Sequence, residues 1–251
     1  MAEVAAAVIR ARLARTALVL CAHGIRGGVG SAGAHAERIA RRDLLAEVHA
    51  CAHKGAPGLV ETVAALRTPE TVLAPLLMAE GHTLRAMQRK LGRAAKPSGR
   101  ILWCRPVGSH PRLSDLMAAK ASSSCLDKGW RAKETALLIV GHGTERHPDS
   151  GGTALAHAAR IAAQGTFAEV AVGFLDEPPH LPEALGRLRA ERCVAIGLFV
   201  DAGEHGEEDV PALLAPAGDR AVYAGPIGPD PLVSDLILDQ VQAVLEGTLA
   251  A

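Results

Sequence analysis

Histidines that directly follow apolar runs are the residues of this chain best placed to do chemistry. His142 comes after the apolar run 136–140 and stands between Gly141 and Gly143. Such a run predicts a strand buried on both faces of a sheet, and the glycines allow a tight turn and close approach of a ligand. Because ligands of open parallel sheets bind outside the carboxyl ends of the strands, we predict a site at His142. The alternative is a histidine that only caps a turn.

The same pattern occurs twice in the chain. Residues 16–24 (TALVLCAHG) correspond to residues 135–143 (TALLIVGHG), an offset of 142 − 23 = 119. A second match, at an offset of 226 − 106 = 120, joins Pro106, Gly108, Pro111, Ser114, Asp115 and Leu116 to Pro226, Gly228, Pro231, Ser234, Asp235 and Leu236. The chain is therefore predicted to be a tandem duplication in which His23 corresponds to His142.

A second histidine follows the third apolar run of each half. His82 comes after the run that begins at Val72, and His205 comes after the run that begins at Val194. The first and third strands of a doubly wound sheet flank the switch point where a crevice opens, so both histidines of a half are expected to face one cleft. Two imidazoles with open coordination positions suit a divalent ion of zinc, iron, cobalt or nickel that is passed on after binding.

Carboxylates crowd around His205. Glu204 precedes it, and Glu207, Glu208 and Asp209 follow it. These groups can raise the basicity of the imidazole, attract cations or accept protons. The alternative for the last three is a helix N-terminus, which favours carboxylates without any function. Glu204 precedes that helix, so the functional interpretation is stronger there.

Strand-like and helix-like stretches alternate along both halves, giving four βα units in each. This order predicts an α/β fold of two doubly wound domains, each a four-stranded parallel sheet with helices on both faces. We place the domains at residues 1–120 and 135–251, joined by a linker at 121–134 with three serines and mixed charges. The opening residues 1–15 are expected to form a short helix beside the first strand.

Composition excludes several classes of protein. The formal net charge is zero and aromatic residues are only 2%, so nucleic-acid and membrane partners are not expected. The five cysteines form no C-x-x-C pair, which favours buried free thiols over disulfides or an iron–sulfur cluster. No membrane-spanning run or signal peptide is recognisable, so a cytoplasmic location is expected.

Four motifs carry a resemblance to a known family. They are VGHGT at 140–144, FLDEPP at 174–179, AGEHGEEDVP at 202–211 and PIG at 226–228. In this order the chain resembles the sirohydrochlorin chelatases, the class II chelatases of the cobalamin and siroheme pathways, in their two-domain form. The resemblance implies insertion of a divalent metal, cobalt or ferrous iron, into a sirohydrochlorin-type tetrapyrrole without ATP. The chain has no G-x-x-x-x-G-K-[ST] phosphate loop, in agreement with this.

By this resemblance, the metal-handling histidines are His142 and His205 in the second half and His23 and His82 in the first. Glu204, beside His205, is expected to help remove the pyrrole protons. The first half departs from these motifs: it has CAHGI around His23, and His82 is not followed by acidic residues as His205 is. These departures favour the second half, although which half works stays open.

The implied substrate carries many carboxylates, so cationic groups are wanted at the rim of the site. Arg26 and Arg146 each lie just after the first histidine of their half and are the candidates. The resemblance leaves open whether the protein is a monomer or a homodimer.

Two other classes of function stay open from sequence. Gly28, Gly30 and Gly33 form a G-x-G-x-x-G pattern before a helix, the mark of a dinucleotide enzyme. That fingerprint should follow its strand at once, whereas the first strand is predicted to end near Ala22. The second class is a non-catalytic carrier of metal or tetrapyrrole, which would make no metallated product.

Overall fold

The structure, a computed structural model, describes residues 2–24, 28–94, 99–143, 151–203 and 205–248; at residues 2–5 and 205 it describes the backbone alone. The strands are β1 (Thr16–Ala22), β2 (Glu47–Ala52), β3 (Glu70–Leu76), β4 (Arg100–Trp103), β5 (Thr135–Gly141), β6 (Glu169–Phe174), β7 (Arg192–Gly197) and β8 (Ala221–Pro226). The α-helices are α1 (Ala2–Leu13), α2 (Ser31–Ala40), α3 (Leu59–Ala65), α4 (His82–Ala94), α5 (Leu113–Asp127), α6 (Gly152–Gln164), α7 (Leu181–Gly186), α8 (Val210–Leu214) and α9 (Val233–Gly247).

The described strands form two parallel sheets with the same strand order. The first is β2-β1-β3-β4 and the second is β6-β5-β7-β8. The predicted fold class is therefore confirmed. In each sheet the first strand of the half lies between the second and the third, so the carboxyl ends of all three meet at one edge. This topology makes the ends of β1 and β5 the natural ligand positions.

Both faces of each sheet are covered, which explains the continuous apolar runs of the central strands. Every residue of β1 and of β5 is buried. On one face of the first sheet, β1 packs with residues of α3 and α4; on the matching face of the second, β5 packs with residues of α7 and α8. The opposite faces are covered by α2 and α9 in the first sheet and by α5 and α6 in the second. A strand buried on both faces has no polar side to expose, so its residues do not alternate.

The compact units of the structure differ from the predicted domains at one helix each. The first unit contains residues 1–110 and 231–251, and the second contains residues 111–230. The closing helix of the first half, α5, thus belongs to the second unit, while α9 belongs to the first. The predicted linker 121–134 is wrong in its first part, because residues 121–127 complete α5. The three serines assigned to the predicted linker lie in this helix, and α5 packs on α6.

A matched pair of buried hydrogen bonds accompanies this exchange of helices. Nδ1 of His35 in α2 lies 2.9 Å from Oγ of Ser234 in α9. Nδ1 of His157 in α6 lies 2.8 Å from Oγ of Ser114 in α5. The two serines are equivalent in the repeat, so each unit is closed by a chemically equivalent helix from the other half. The repeat alone does not distinguish an exchanged helix from one retained in its own half.

The cysteines agree with a further expectation. All five cysteines are free and buried, as predicted. Burial raises the pKa of Cys104 and of Cys193 to about 12, which makes these thiols poor nucleophiles and poor metal ligands. No described helix is both long enough and apolar enough to cross a membrane.

Candidate functional site

His142 stands at the carboxyl end of the central strand of the second sheet. It follows the last residue of β5 and precedes Gly143, whose φ is 73°. The backbone N–H of Asp176, just beyond β6, donates to the His142 carbonyl oxygen at 2.9 Å and draws the two loops together. A Cβ built on Gly143 would lie 2.6 Å from Cγ of Glu177, so the glycine is required by its φ and by this close approach. The tight turn predicted at the flanking glycine is thus seen in the structure.

A carboxylate orients the His142 imidazole. Nδ1 lies 3.1 Å from Oδ2 of Asp176 and 3.2 Å from the carbonyl oxygen of Gly143. Both neighbours are hydrogen-bond acceptors, so Nδ1 carries the proton and donates it. In the neutral ring, Nε2 then keeps the lone pair with which an imidazole binds a metal.

The pair formed by His142 and Asp176 is open to solvent. Their side chains are 51% and 56% exposed, respectively. An ion pair this exposed adds little to folding stability because water screens it. A surface carboxylate that fixes the tautomer of a histidine is therefore better explained by ligand binding than by stability.

The third strand of the second unit leads into an unusual turn at the predicted position of His205. The backbone forms a π-helical turn over His205–Asp209, followed directly by α8. Such turns are frequent at functional sites. The side chain of His205 lies outside the description, as do Glu204, Arg26 and Arg146 entirely, so the roles predicted for these four residues stay predictions.

Tyr223, the only tyrosine of the chain, lies beneath this turn. Its hydroxyl is buried and has no hydrogen-bond partner among the described residues. A Cβ built on Gly206 would lie 3.5 Å from that oxygen, which places the phenol against the turn that begins at His205. Burial raises the pKa of Tyr223 to about 12, so the phenol stays protonated at neutral pH.

The corresponding edge of the first sheet carries basic side chains. His23 follows the last residue of β1, and its carbonyl oxygen accepts from the N–H of Lys54 at 2.9 Å, as that of His142 does from Asp176. Lys54 is therefore the structural equivalent of Asp176. A third imidazole, that of His53, lies beside His23 with the ring centroids 6.3 Å apart. His82, predicted to act with His23, begins α4, and its charge acts on His53.

Burial and nearby positive charge both lower the pKa of the His23 and His53 imidazoles. Burial first, and then the charge of Lys54, lower the pKa of His23. Burial also lowers the pKa of His53, with further contributions from Lys90, His23, Lys54 and His82 in that order. Both imidazoles are consequently held in their neutral form more firmly than a histidine in water. Nδ1 of His53 is buried and has no partner within the described part of the chain.

The described residues hold no ready-made metal cage. Among them, no group of three or more histidine, cysteine, aspartate or glutamate side chains is arranged to hold a metal ion. An open two-ligand site of the kind predicted from sequence is not a cage of this sort. The side chains of residues 204 and 205 stand outside this observation.

Sequence reasoning missed the residues that follow the second strand of each half, His53 and Lys54 in one and Asp176 in the other. A signal for them was present. The second strand of a doubly wound sheet lies beside the first, so its following residues reach the same edge. Aligning the two halves across this loop sets a lysine against an aspartate.

The parallel sheets, each with a histidine and a positive-φ glycine after its central strand, define a duplicated α/β protein of the chelatase type. The chain belongs to the CbiX family, whose sequence model matches residues 17–124 and again residues 136–244. The two matches fall on the two halves of the predicted duplication.

Related proteins cover either the whole chain or about half of it. A probable sirohydrochlorin cobaltochelatase of Halobacterium salinarum is 28% identical over 263 residues, which cover 89% of this chain and 90% of the relative. A sirohydrochlorin cobaltochelatase of Methanothermobacter thermautotrophicus is 29% identical over 133 residues, 43% of this chain and 92% of the relative. A relative about as long as one half is what a tandem duplication leads one to expect.

Solved structures agree on the fold. The structure of CbiX described as the terminal enzyme for biosynthesis of siroheme in denitrifying bacteria has a TM-score of 0.70 and 29% identity, covering 90% of this chain and 98% of that one. SirB from Bacillus subtilis with Fe³⁺ has a TM-score of 0.74 at 16% identity, covering 94% and 97%. The second likeness concerns the fold alone.

Proposed function

We propose that this protein inserts a divalent metal ion into sirohydrochlorin or a related tetrapyrrole without ATP, with Co²⁺ favoured and Fe²⁺ as the alternative. The metal is a substrate, and the product would serve cobalamin or siroheme biosynthesis. The observation that carries the proposal is the oriented, exposed pair of His142 and Asp176 at the carboxyl edge of the second sheet. It occurs in a chain of the CbiX family, several relatives of which are named sirohydrochlorin cobaltochelatase.

Metal insertion requires a protein ligand that binds the metal ion and then releases it to the ring. The ion loses water, meets the ring face and displaces two pyrrole protons. Nε2 of His142 provides a single neutral nitrogen ligand, and the Asp176 carboxylate leaves the lone pair on that nitrogen by holding the proton on Nδ1. A site with few protein ligands leaves coordination positions for water and then for the ring nitrogens.

The displaced protons require bases near the ring. Asp176 is one acceptor within reach of the His142 imidazole. We propose that His205 completes the metal site and that Glu204 accepts a proton, because in the sequence they belong to the segment that follows the strand next to β5. Arg146 is proposed to bind substrate carboxylates at the rim. Since only neutral imidazole binds metal, activity should fall on acidification through the histidine range.

The test is the absorbance spectrum of sirohydrochlorin under anaerobic conditions, with Co²⁺, Fe²⁺ and Ni²⁺ supplied in turn. A catalyst gives many product molecules per protein molecule and a rate proportional to protein concentration. A metal or tetrapyrrole carrier gives at most one equivalent of bound ligand and no faster metallation than buffer. That second result, with all three metals, would refute the proposal.

A further inference from the structure

Basic side chains gather at the carboxyl edge of the first sheet. His23 and His53 follow β1 and β2, and their ring centroids lie 6.3 Å apart. Nζ of Lys90, in α4, donates to the carbonyl oxygen of His53 at 3.2 Å, which brings its ammonium group to the loop that carries Lys54. His82 begins the same helix. We call these five residues the basic cluster.

The electrostatic field within the basic cluster is positive. The charge that acts on His23 comes from Lys54, and those that act on His53 come from Lys90, Lys54 and the two other histidines. The two lysine charges are positive, an imidazole carries no negative charge in either protonation state, and the second unit has Asp176 where this one has Lys54. A divalent cation placed here would face two ammonium groups at short range, which is unfavourable by Coulomb's law even after strong screening.

The geometry points to a different ligand: we propose that the basic cluster binds carboxylate groups of an anionic ligand and does not bind the metal. The inference rests on the proposed function only for the source of those carboxylates, which we take to be the side chains of the tetrapyrrole. A free polycarboxylate has the same chemistry and is the other source that the experiment distinguishes.

The donors of the basic cluster fit this chemistry. Each ammonium group has three N–H donors, of which Lys90 uses one on the His53 carbonyl oxygen, and each neutral imidazole has one ring N–H. Charge-assisted bonds from ammonium to carboxylate are stronger than neutral ones. Both lysines are exposed, so a ligand reaches them without rearrangement of the core. The buried Nδ1 of His53, unpartnered within the described chain, leaves its ring with unused hydrogen-bonding capacity.

The experiment follows the imidazole signals of His23 and His53 by ¹⁵N NMR in the full chain, assigned with single His→Gln variants. The probes are citrate, metal-free sirohydrochlorin and Zn²⁺, each added alone. We expect saturable shifts with sirohydrochlorin and none with Zn²⁺ at concentrations that saturate His142. Shifts with sirohydrochlorin at far lower concentration than with citrate identify the ring as the source, whereas the reverse order identifies a free polycarboxylate.

Variants at position 54 test both parts of the proposal, the binding of an anion and the absence of metal binding. Lys54→Asp should weaken sirohydrochlorin binding at these signals roughly tenfold, the scale of a lost charge-assisted hydrogen bond, and should allow Zn²⁺ to shift His23. Lys54→Gln should weaken anion binding without creating the response to Zn²⁺, and it keeps the test valid should the aspartate variant misfold. Lys133→Asp makes the same change of charge at an exposed lysine of the second unit and should leave both responses unchanged.

Two results would overturn the inference. One is a response of His23 and His53 to Zn²⁺ in the unmodified protein, and the other is the absence of any shift with both anions. The proposed function fails separately. If the protein metallates nothing while sirohydrochlorin still shifts His23 and His53, the function is refuted and the carboxylate site stands. If it metallates sirohydrochlorin and these signals stay still, only the carboxylate site is refuted.

Discussion

The carboxyl edges of the two sheets are built alike and charged oppositely. In both, a histidine after the central strand accepts a 2.9 Å backbone hydrogen bond from a residue after the second strand. That residue is Lys54 in the first unit and Asp176 in the second. A carboxylate orients His142 toward a cation, whereas an ammonium group beside His23 opposes one. The two units share one frame, and the residue after the second strand brings a positive charge to the edge of the first unit and a negative charge to that of the second.

The most direct test of this difference is to remove each histidine in turn. His142→Ala should lower the rate of metal insertion by roughly 10³-fold or more, since the ligand and its part in proton transfer are lost together. His23→Ala should change the rate far less and act mainly on KM for the tetrapyrrole. The measurement is the steady-state rate with Co²⁺, and His49→Ala, within β2, is the matched control. A first-unit histidine that proves indispensable for the rate, while His142→Ala stays active, would reverse the assignment of the two edges.

The carboxylate itself is tested by Asp176→Asn. The amide cannot hold the proton on Nδ1 as a carboxylate does, so metal affinity or rate should fall roughly 10- to 100-fold, as for other groups that orient a metal ligand. Asp219→Asn, at an exposed position of the same unit, should be silent. Kinetics over a series of Co²⁺ concentrations separate affinity from rate. Unchanged values of both would show that Asp176 does not orient His142.

The glycines after the two histidines allow the backbone of the two edges to be tested in the same way. Gly24 and Gly143 have φ values of 105° and 73°, so alanine should cost each unit about 1–3 kcal/mol of unfolding free energy. The loss should be larger at Gly24, where a Cβ would lie 2.0 Å from the Lys54 carbonyl oxygen, than at Gly143, where it meets the flexible side chain of Glu177. Urea denaturation measures both. Equal stability of Gly24→Ala and the unmodified protein would contradict this geometry.

The smallest expected effect is on stability as a function of pH. The folded-state pKa values of His23 and His53 are lowered, so between those values and about pH 6.5 the unfolded chain binds more protons than the folded one. Stability should therefore fall as pH decreases below about 6.5, and Lys54→Gln should reduce this dependence by removing a repelling charge. Denaturation midpoints between pH 5 and 8 measure the effect. A slope unaltered by Lys54→Gln would show that the lysine does not act on these rings.

The frame of the molecule could be predicted from local sequence patterns. Apolar runs such as 136–140 require burial on both faces, glycine after each histidine permits a positive φ, and the repeat requires two copies of one sheet. These features follow from local physical chemistry that depends on few neighbours. For the same reason the ends of β1 and β5 were predicted correctly as the positions of His23 and His142.

The side chains that meet at those ends, and the helix that closes each unit, could be identified only in the folded chain. Lys54 and Asp176 lie more than thirty residues from the histidines they face, and backbone hydrogen bonds between neighbouring loops bring them there. The equivalent serines of α5 and α9 satisfy either closing arrangement equally well, so the sequence did not distinguish the exchanged helices. Contacts between residues far apart in the sequence depend on the path of the chain between elements, and a local sequence pattern does not specify that path.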